Sequence, residues 1–284
     1  MPELPEVETT KRFLSRKIVG KTIKKIEVLS TKQLIGDTKL VINRKILGID
    51  RRAKILIVCL ENKIFLLIHL KLTGQLVYSG SSGEREVVFG HPIPLAGGNV
   101  LPGRSTRIVI YFNQGILFFN DLRKFGWIKI AQNSKVKDQN LEKLGTEPLS
   151  KDFTPKLLAK ILSRSRRPIK LVLMDQEKIA GIGNIYANDT LWEAGINPRK
   201  PANQVKRVKE LCLAIKKVLK EGIKYGGSST DDEAYIKPDG TPGQYQYQAR
   251  VYQRDGQPCR QCGTLIQRTK ISNRGTFFCP KCQK

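Results

Sequence analysis

Four cysteines near the C-terminal end have metal-ligand spacing. Cys259-x2-Cys262 is followed, after sixteen residues, by Cys279-x2-Cys282, the pattern of a four-cysteine zinc ribbon. Each pair makes one knuckle, and two knuckles close a tetrahedral thiolate site. Four thiolates leave no open position, so one Zn2+ held there is structural and not catalytic. A pair of disulfides is the competing reading, which a reducing compartment disfavours. Arg268, Lys270 and Arg274 lie between the pairs, on an expected β-hairpin suited to presenting an Arg to a phosphate. Taken alone, the module points to nucleic-acid binding.

The other chemically distinctive stretch is the start, MPELPEVETT. Removal of Met1 leaves Pro2 with a free secondary amine. An α-amino group has a reference pKa of about 8, far below lysine, and the positive end of a following helix lowers it further. Such an amine is largely neutral at cellular pH and can attack a sugar carbon to give an iminium. Glu3 is a candidate general acid or base beside it. By itself, the same start also fits a proline with no chemistry.

The elements that must hold these residues follow from the pattern. Pro5, Glu6 and Glu8 suit the first turn of a short helix over 1–15, with Val7, Leu14 and Phe13 inward. From 22 to 131 the chain is β-rich, as in KILIVCL (54–60), IFLLIHL (64–70), RIVIYF (107–112) and ILFFN (116–120). Short polar turns between them predict an antiparallel sandwich or barrel. Residues 80–104 read as a long surface loop. Helices are predicted over 154–163, 170–178, 184–194 and 203–222, and a loop over 226–249. The expected organisation is α+β with two domains. An N-terminal β-sandwich (1–133) leads through a linker (134–153) to a helical domain (154–225). A loop (226–249) and the cysteine module (250–284) follow.

The chain has 51 Lys and Arg against 25 Asp and Glu, a net charge of +26, spread along its length. That excess predicts a polyanionic partner over a merely solvated surface. No apolar run reaches the roughly 20 residues of a spanning helix, so no membrane role is expected. The start lacks an apolar signal core, which predicts an intracellular protein with reduced thiols. Cys59 and Cys212, in apolar stretches, are expected in the core.

MPELPEVE (1–8) resembles the start of bacterial formamidopyrimidine-DNA glycosylases. The resemblance continues through RRAK (51–54), HLKLTG (69–74), NDLRKFG (120–126), LGTEPL (144–149), MDQEKIAGIGNIYAND (174–189), AGINP (194–198) and the C-terminal cysteine module. It implies a β-sandwich with an N-terminal helix, then a helical domain with a helix–two-turn–helix motif at about 174–198 and a zinc finger. Pro2 would be the Schiff-base nucleophile and Glu3 the acid that assists sugar-ring opening. Lys54 would contact phosphate and serve as acid in strand cleavage. Arg274 would grip the phosphate at the lesion and joins the catalytic set.

The same resemblance has Arg123 and Phe125 fill the void left by a flipped base, Arg against the orphaned partner and Phe as a wedge. Leu72 stands where the family usually has a third void-filling residue, Met. His69, Asn184 and Arg166 would contact DNA. Ser105 replaces a phosphate-contacting His, which puts that contact in doubt, with Arg104 or Arg107 as substitutes. Ser228, Ser229 and Thr230, in the GGSSTDD loop, would cover the extruded base.

The activity implied is a bifunctional glycosylase and AP lyase on oxidised purines, acting as a monomer on duplex DNA in the bacterial cytoplasm at the nucleoid; an organelle is the alternative. An endonuclease VIII-like enzyme for oxidised pyrimidines and a non-catalytic damaged-DNA-binding protein are the rivals.

Overall fold

The computed structural model describes residues 1–80, 87–90, 101–229 and 242–284. Most of the predicted 80–104 loop, and Thr230 with the middle of the 226–249 loop, lie outside the described residues. The chain divides into two compact units. One comprises Met1–Glu142 with Gly226–Gly243, the other Lys143–Tyr225 with Gln244–Lys284.

The first unit opens with α1 (Leu4–Ile18). Pro5 lies in its first turn, and Glu3 and Glu6 form a reciprocal capping box that satisfies amides a helix start leaves unpaired. Val7, Leu14 and Ile18 are buried on one face, while Phe13 is only partly buried.

Among the described residues ten strands follow: β1 (Ile23–Val28), β2 (Leu34–Ile35), β3 (Ile46–Arg52), β4 (Ile55–Leu60), β5 (Ile64–His69), β6 (Gly74–Ser79), β7 (Val87–Gly90), β8 (Thr106–Phe112), β9 (Ile116–Asp121) and β10 (Trp127–Ala131). They form two five-stranded sheets, ordered β1-β8-β9-β6-β7 and β2-β10-β5-β4-β3. The predicted sandwich is therefore present, with one departure from antiparallel pairing: the two-residue β2 runs parallel to β10. Leu56, Leu66 and Ile68 of one sheet share a core with Leu76, Ile108 and Phe119 of the other.

Cys59 is a correction. It is only partly buried, with its Sγ 3.8 Å from Asp50 Oδ2, because it is the one residue of β4 outside the core pattern. Residues 134–141, inside the stretch expected to be a linker, form α2 (Ser134–Leu141), capped by Asn133 accepting from Val136 N at 2.9 Å.

The second unit contains α3 (Pro155–Ser163), α4 (Ile169–Leu173), α5 (Asn184–Glu193) and α6 (Val208–Lys224). Thr154 caps α3, with Pro155 at its first position. Two helices differ from expectation. The segment at 170–178 is helical only to Leu173, because the Gln176 side chain donates to the carbonyls of Met174 and Ile182, both at 2.8 Å, and accepts from Gly181 N at 2.9 Å. The last helix starts at Val208 rather than 203, after a short 3-10 turn at Ala202–Gln204. Leu211, Ile215, Val218 and Leu219 of α6 face a core with Phe153, Leu158, Tyr186, Leu191 and Phe277. Cys212 is in that core, as expected. The unit ends in the hairpin β11 (Gln267–Ile271) and β12 (Arg274–Phe278).

Candidate catalytic and nucleic-acid-binding sites

In the first unit, Pro2, Glu3 and Lys54 are all buried, Glu3 to 1% exposure and Lys54 to 5%. Lys54 is the second residue of the two-residue β3–β4 turn, in which Ala53 takes a positive φ of 52°. Arg51 holds that turn to α1. Its Nε meets Glu8 Oε2 at 3.0 Å, and its Nη1 donates to Ala53 O at 2.9 Å. That ion pair, with the bonds from Arg51 and Arg12, outweighs burial and holds the Glu8 carboxyl below the usual range.

Glu6, in sequence terms only a first-turn acid, makes two backbone contacts. Its Oε2 accepts from Glu3 N at 2.8 Å and its Oε1 from Ser228 N at 2.9 Å. A Cβ on Gly227, whose φ is +85°, would come within 2.8 Å of Glu6 Cγ, so only glycine allows this approach. Ser228 is buried, and among the described residues its Oγ has no hydrogen-bond partner. Ser229 Oγ accepts from Gly243 N at 2.8 Å, which joins the two described ends of the loop.

His69 is partly exposed at the end of β5, 5.6 Å from the Trp127 ring centroid. Burial of its ring, then the Lys71 and Lys54 cations, push its pKa down to about 3. The imidazole is thus neutral, and Nδ1 accepts from Lys71 N at 3.0 Å. Its proton is therefore assigned to Nε2, leaving an uncharged donor.

Leu72 sits in the turn before β6, and Arg123 and Phe125 in the turn after β9. Because Gly74 pairs with Asp121, the two turns leave the sheet side by side. Phe125 is 52% exposed, so it takes no part in the core, and Arg123 stacks on its ring at 5.2 Å. Ser105 is buried and Arg107 donates to Asp121 O at 2.9 Å, whereas Arg104 is exposed. Of the two suggested substitutes, Arg104 is thus the one turned to solvent.

In the second unit, Asn184 begins α5, after Gly183 at the cap and Gly181 at φ +106°. Asn188 fixes this end, its Nδ2 donating to Asn184 O at 2.7 Å, while its Oδ1 accepts from Phe277 N at 2.9 Å. Arg166 is exposed. Arg274 is exposed at the tip of the zinc hairpin, next to a turn in which Ser272 and Asn273 both take positive φ.

Lys170 is a residue that sequence reasoning missed. It is fully buried, and its Nζ donates to Gly275 O at 2.6 Å and Thr276 Oγ1 at 2.8 Å. A lysine among the apolar residues of IKLVL was the signal available. It braces β12 directly beside Arg274.

The four cysteine Sγ atoms all lie within 4.8 Å of one another. Cys262 and Cys279 are 3.5 Å apart and Cys259 and Cys282 3.9 Å. A tetrahedron with Zn–S bonds of about 2.3 Å has edges of about 3.8 Å, so the thiolates fit zinc and are too far apart for disulfides. Trp192 Nε1 donates to Cys259 Sγ at 3.3 Å, an outer-sphere contact from α5.

Fold and sites define the class first: a β-sandwich protein with a helix–two-turn–helix motif and a four-cysteine ribbon. The formamidopyrimidine-DNA glycosylase N-terminal domain matches residues 1–128, the H2TH domain of the same enzymes residues 144–234, and the zinc finger found in FPG and IleRS residues 256–284. The formamidopyrimidine-DNA glycosylase of Neisseria meningitidis is 40% identical over the full length of both chains. The Lactococcus lactis Fpg in complex with abasic-site DNA superposes with a TM-score of 0.84 at 34% identity, covering 99% of each chain. A mutant of that Lactococcus protein bound to Fapy-dG-containing DNA gives 0.85 at 33%, covering 100% of each. The chain belongs to the formamidopyrimidine-DNA glycosylase family. Its four-cysteine site holds one structural zinc. Among the described residues no helix is long and apolar enough to cross a membrane.

Proposed function

We propose that this chain is a bifunctional DNA glycosylase and AP lyase of base excision repair, removing oxidised purines such as 8-oxoguanine and formamidopyrimidines from duplex DNA. The observation that carries the reading is the double grip of Glu6. One carboxylate holds the backbone of Glu3, next to the candidate nucleophile, and the backbone of Ser228, in the loop assigned to the extruded base. The Ser228 hydroxyl, unpartnered among the described residues, offers such a base a hydrogen bond. Relatives bound to abasic and Fapy-dG DNA support the substrate class.

In this mechanism Met1 is removed and the Pro2 nitrogen, as a neutral amine, attacks C1′ of the damaged nucleotide. The C1′–N bond breaks, and the base departs with the proton that the Pro2 nitrogen gives up on forming its bond to C1′. Glu3 protonates O4′ as the sugar ring opens, leaving an iminium between Pro2 and C1′. Loss of a C2′ proton then expels the 3′ phosphate, and a second elimination expels the 5′ phosphate, with Lys54 as proton donor. Arg274, Asn184, Arg166 and the neutral Nε2–H of His69 hold phosphates. Arg104 takes over the contact that Ser105 does not make. Arg123, Phe125 and Leu72 fill the void. Leu keeps the apolar volume of Met with less adaptability. In a bacterial cell this work belongs in the cytoplasm, at the nucleoid.

The test is borohydride trapping on duplexes carrying 8-oxoguanine or thymine glycol. Wild type is expected to trap on the purine lesion, and Pro2→Gly to bind it but lose at least about a hundredfold in base release. Preferential trapping on thymine glycol favours the pyrimidine-directed reading. No adduct on either duplex leaves only a damaged-DNA-binding protein.

A further inference from the structure

We propose that Asp121 is a positioning residue that clamps the Leu72 turn and the Arg123–Phe125 turn into a single rigid tip. The proposal rests on the reading that these three side chains occupy the space vacated by an extruded base.

Asp121 is completely buried. Its Oδ1 accepts from the Thr73 hydroxyl and from Arg123 N at 3.2 Å, and its Oδ2 accepts from Gly126 N at 2.6 Å. Thr73 Oγ1 accepts in turn from Arg123 N at 3.0 Å. One carboxylate thus fastens the residue after Leu72 to both ends of the turn that carries Arg123 and Phe125. Its own backbone is fixed as well, with Asp121 N donating to Ser105 O at 2.8 Å.

The surroundings leave no slack. A Cβ on Gly74 would lie 2.3 Å from Leu70 O, and one on Gly126 would lie 2.8 Å from the Phe119 ring and 3.1 Å from Asp121 Oδ2. Above this frame stand Leu122 and Phe125, at 62% and 52% exposure. Apolar side chains on a loose turn would fold back onto the sheet. Held outward they can enter a base stack with the turn's ordering entropy already lost on folding. Hydrogen bonds to a carboxylate are the strong kind that such a frame needs. The Asp121 carboxylate bonds only to Thr73, Arg123 and Gly126 among the described residues, and none of these is the candidate nucleophile or a candidate phosphate contact, so it acts through the tip.

The experiment compares cleavage of an abasic site in a duplex with cleavage of the same site in a single strand, where no opposite base or stack needs filling. Asp121→Asn keeps the shape but turns an NH2 group toward the Gly126 or the Thr73 donor. It is expected to lower kcat/KM on the duplex by at least about tenfold more than on the single strand. Thr73→Val should shift the ratio in the same direction and Thr73→Ser should restore it. This pair carries the test if Asp121→Asn does not fold. Equal losses on both substrates, or an unchanged ratio in both Asp121→Asn and Thr73→Val, overturn the proposal. A wild-type protein inactive on both substrates overturns the catalytic reading itself, a distinct result.

Discussion

At the residue scale, burial decides which groups are charged. The chain has two histidines, of which His91 lies outside the described residues, and His69 has its pKa lowered to about 3 by burial and the Lys71 and Lys54 cations. As pH falls below 6.5, the unfolded chain gains a proton that the folded ring refuses. Stability through this group is therefore complete above pH 6.5 and declines down to about pH 3. Between pH 7 and pH 5 the loss should be about 2 kcal/mol. Urea unfolding of wild type and His69→Gln at both values checks it, since the variant should show the shallower dependence. Parallel pH profiles would contradict a neutral, protected imidazole. Carboxylates whose pKa is lowered, Glu8 and Glu193, act in a different window: their stabilisation is present above pH 4.5 and disappears below it.

At the element scale, the hairpin carrying Arg274 is held by several attachments. Zinc closes its base, Lys170 braces Gly275 and Thr276, and Asn188 holds Phe277. Stripping zinc with a chelator should therefore open 250–284 to protease while the β-sandwich stays resistant, and limited proteolysis will read this directly. Arg274→Ala, with zinc retained, should weaken DNA binding and reduce the salt slope by about one phosphate contact; an unaltered slope rejects a phosphate role for Arg274.

The cysteine spacing made the ribbon legible because its ligands are near in sequence. Pro5, Glu6 and Glu8 announced α1 by local preference, and the apolar β4 and β5 announced the sheet. Lys170 to Thr276 and Glu6 to Ser228 span 106 and 222 positions. No local pattern encodes such a bond, so the sequence marks Lys170 as out of place and Glu6 as a first-turn acid without naming either partner. The early end of α4 escaped for a related reason, since Gln176 competes for the turn through its side chain.

For the whole molecule, the +26 charge sets how it meets DNA. With about six phosphate contacts, log affinity should fall with log salt at a slope near −5. Fluorescence anisotropy on an undamaged duplex measures it, and a slope shallower than about −2 would leave the charge without its expected partner. Charge and composition were readable at once, and so was the family resemblance. The ordering of the Leu72 and Arg123–Phe125 turns was not, because Asp121, Gly74 and Gly126 matter through backbone proximity across two strands.

That same frame separates holder from tip. Leu122, Arg123, Lys124 and Phe125 all point to solvent, while Thr73, Gly74, Asp121 and Gly126 are enclosed. Leu122, Arg123 and Phe125 can therefore be exchanged in a combinatorial library without disturbing the scaffold, whereas position 124, at φ 58°, favours Gly, Asn or Asp. If these side chains do meet the base opposite a lesion, as proposed above, preference for that base can be re-engineered on a ready-made mount.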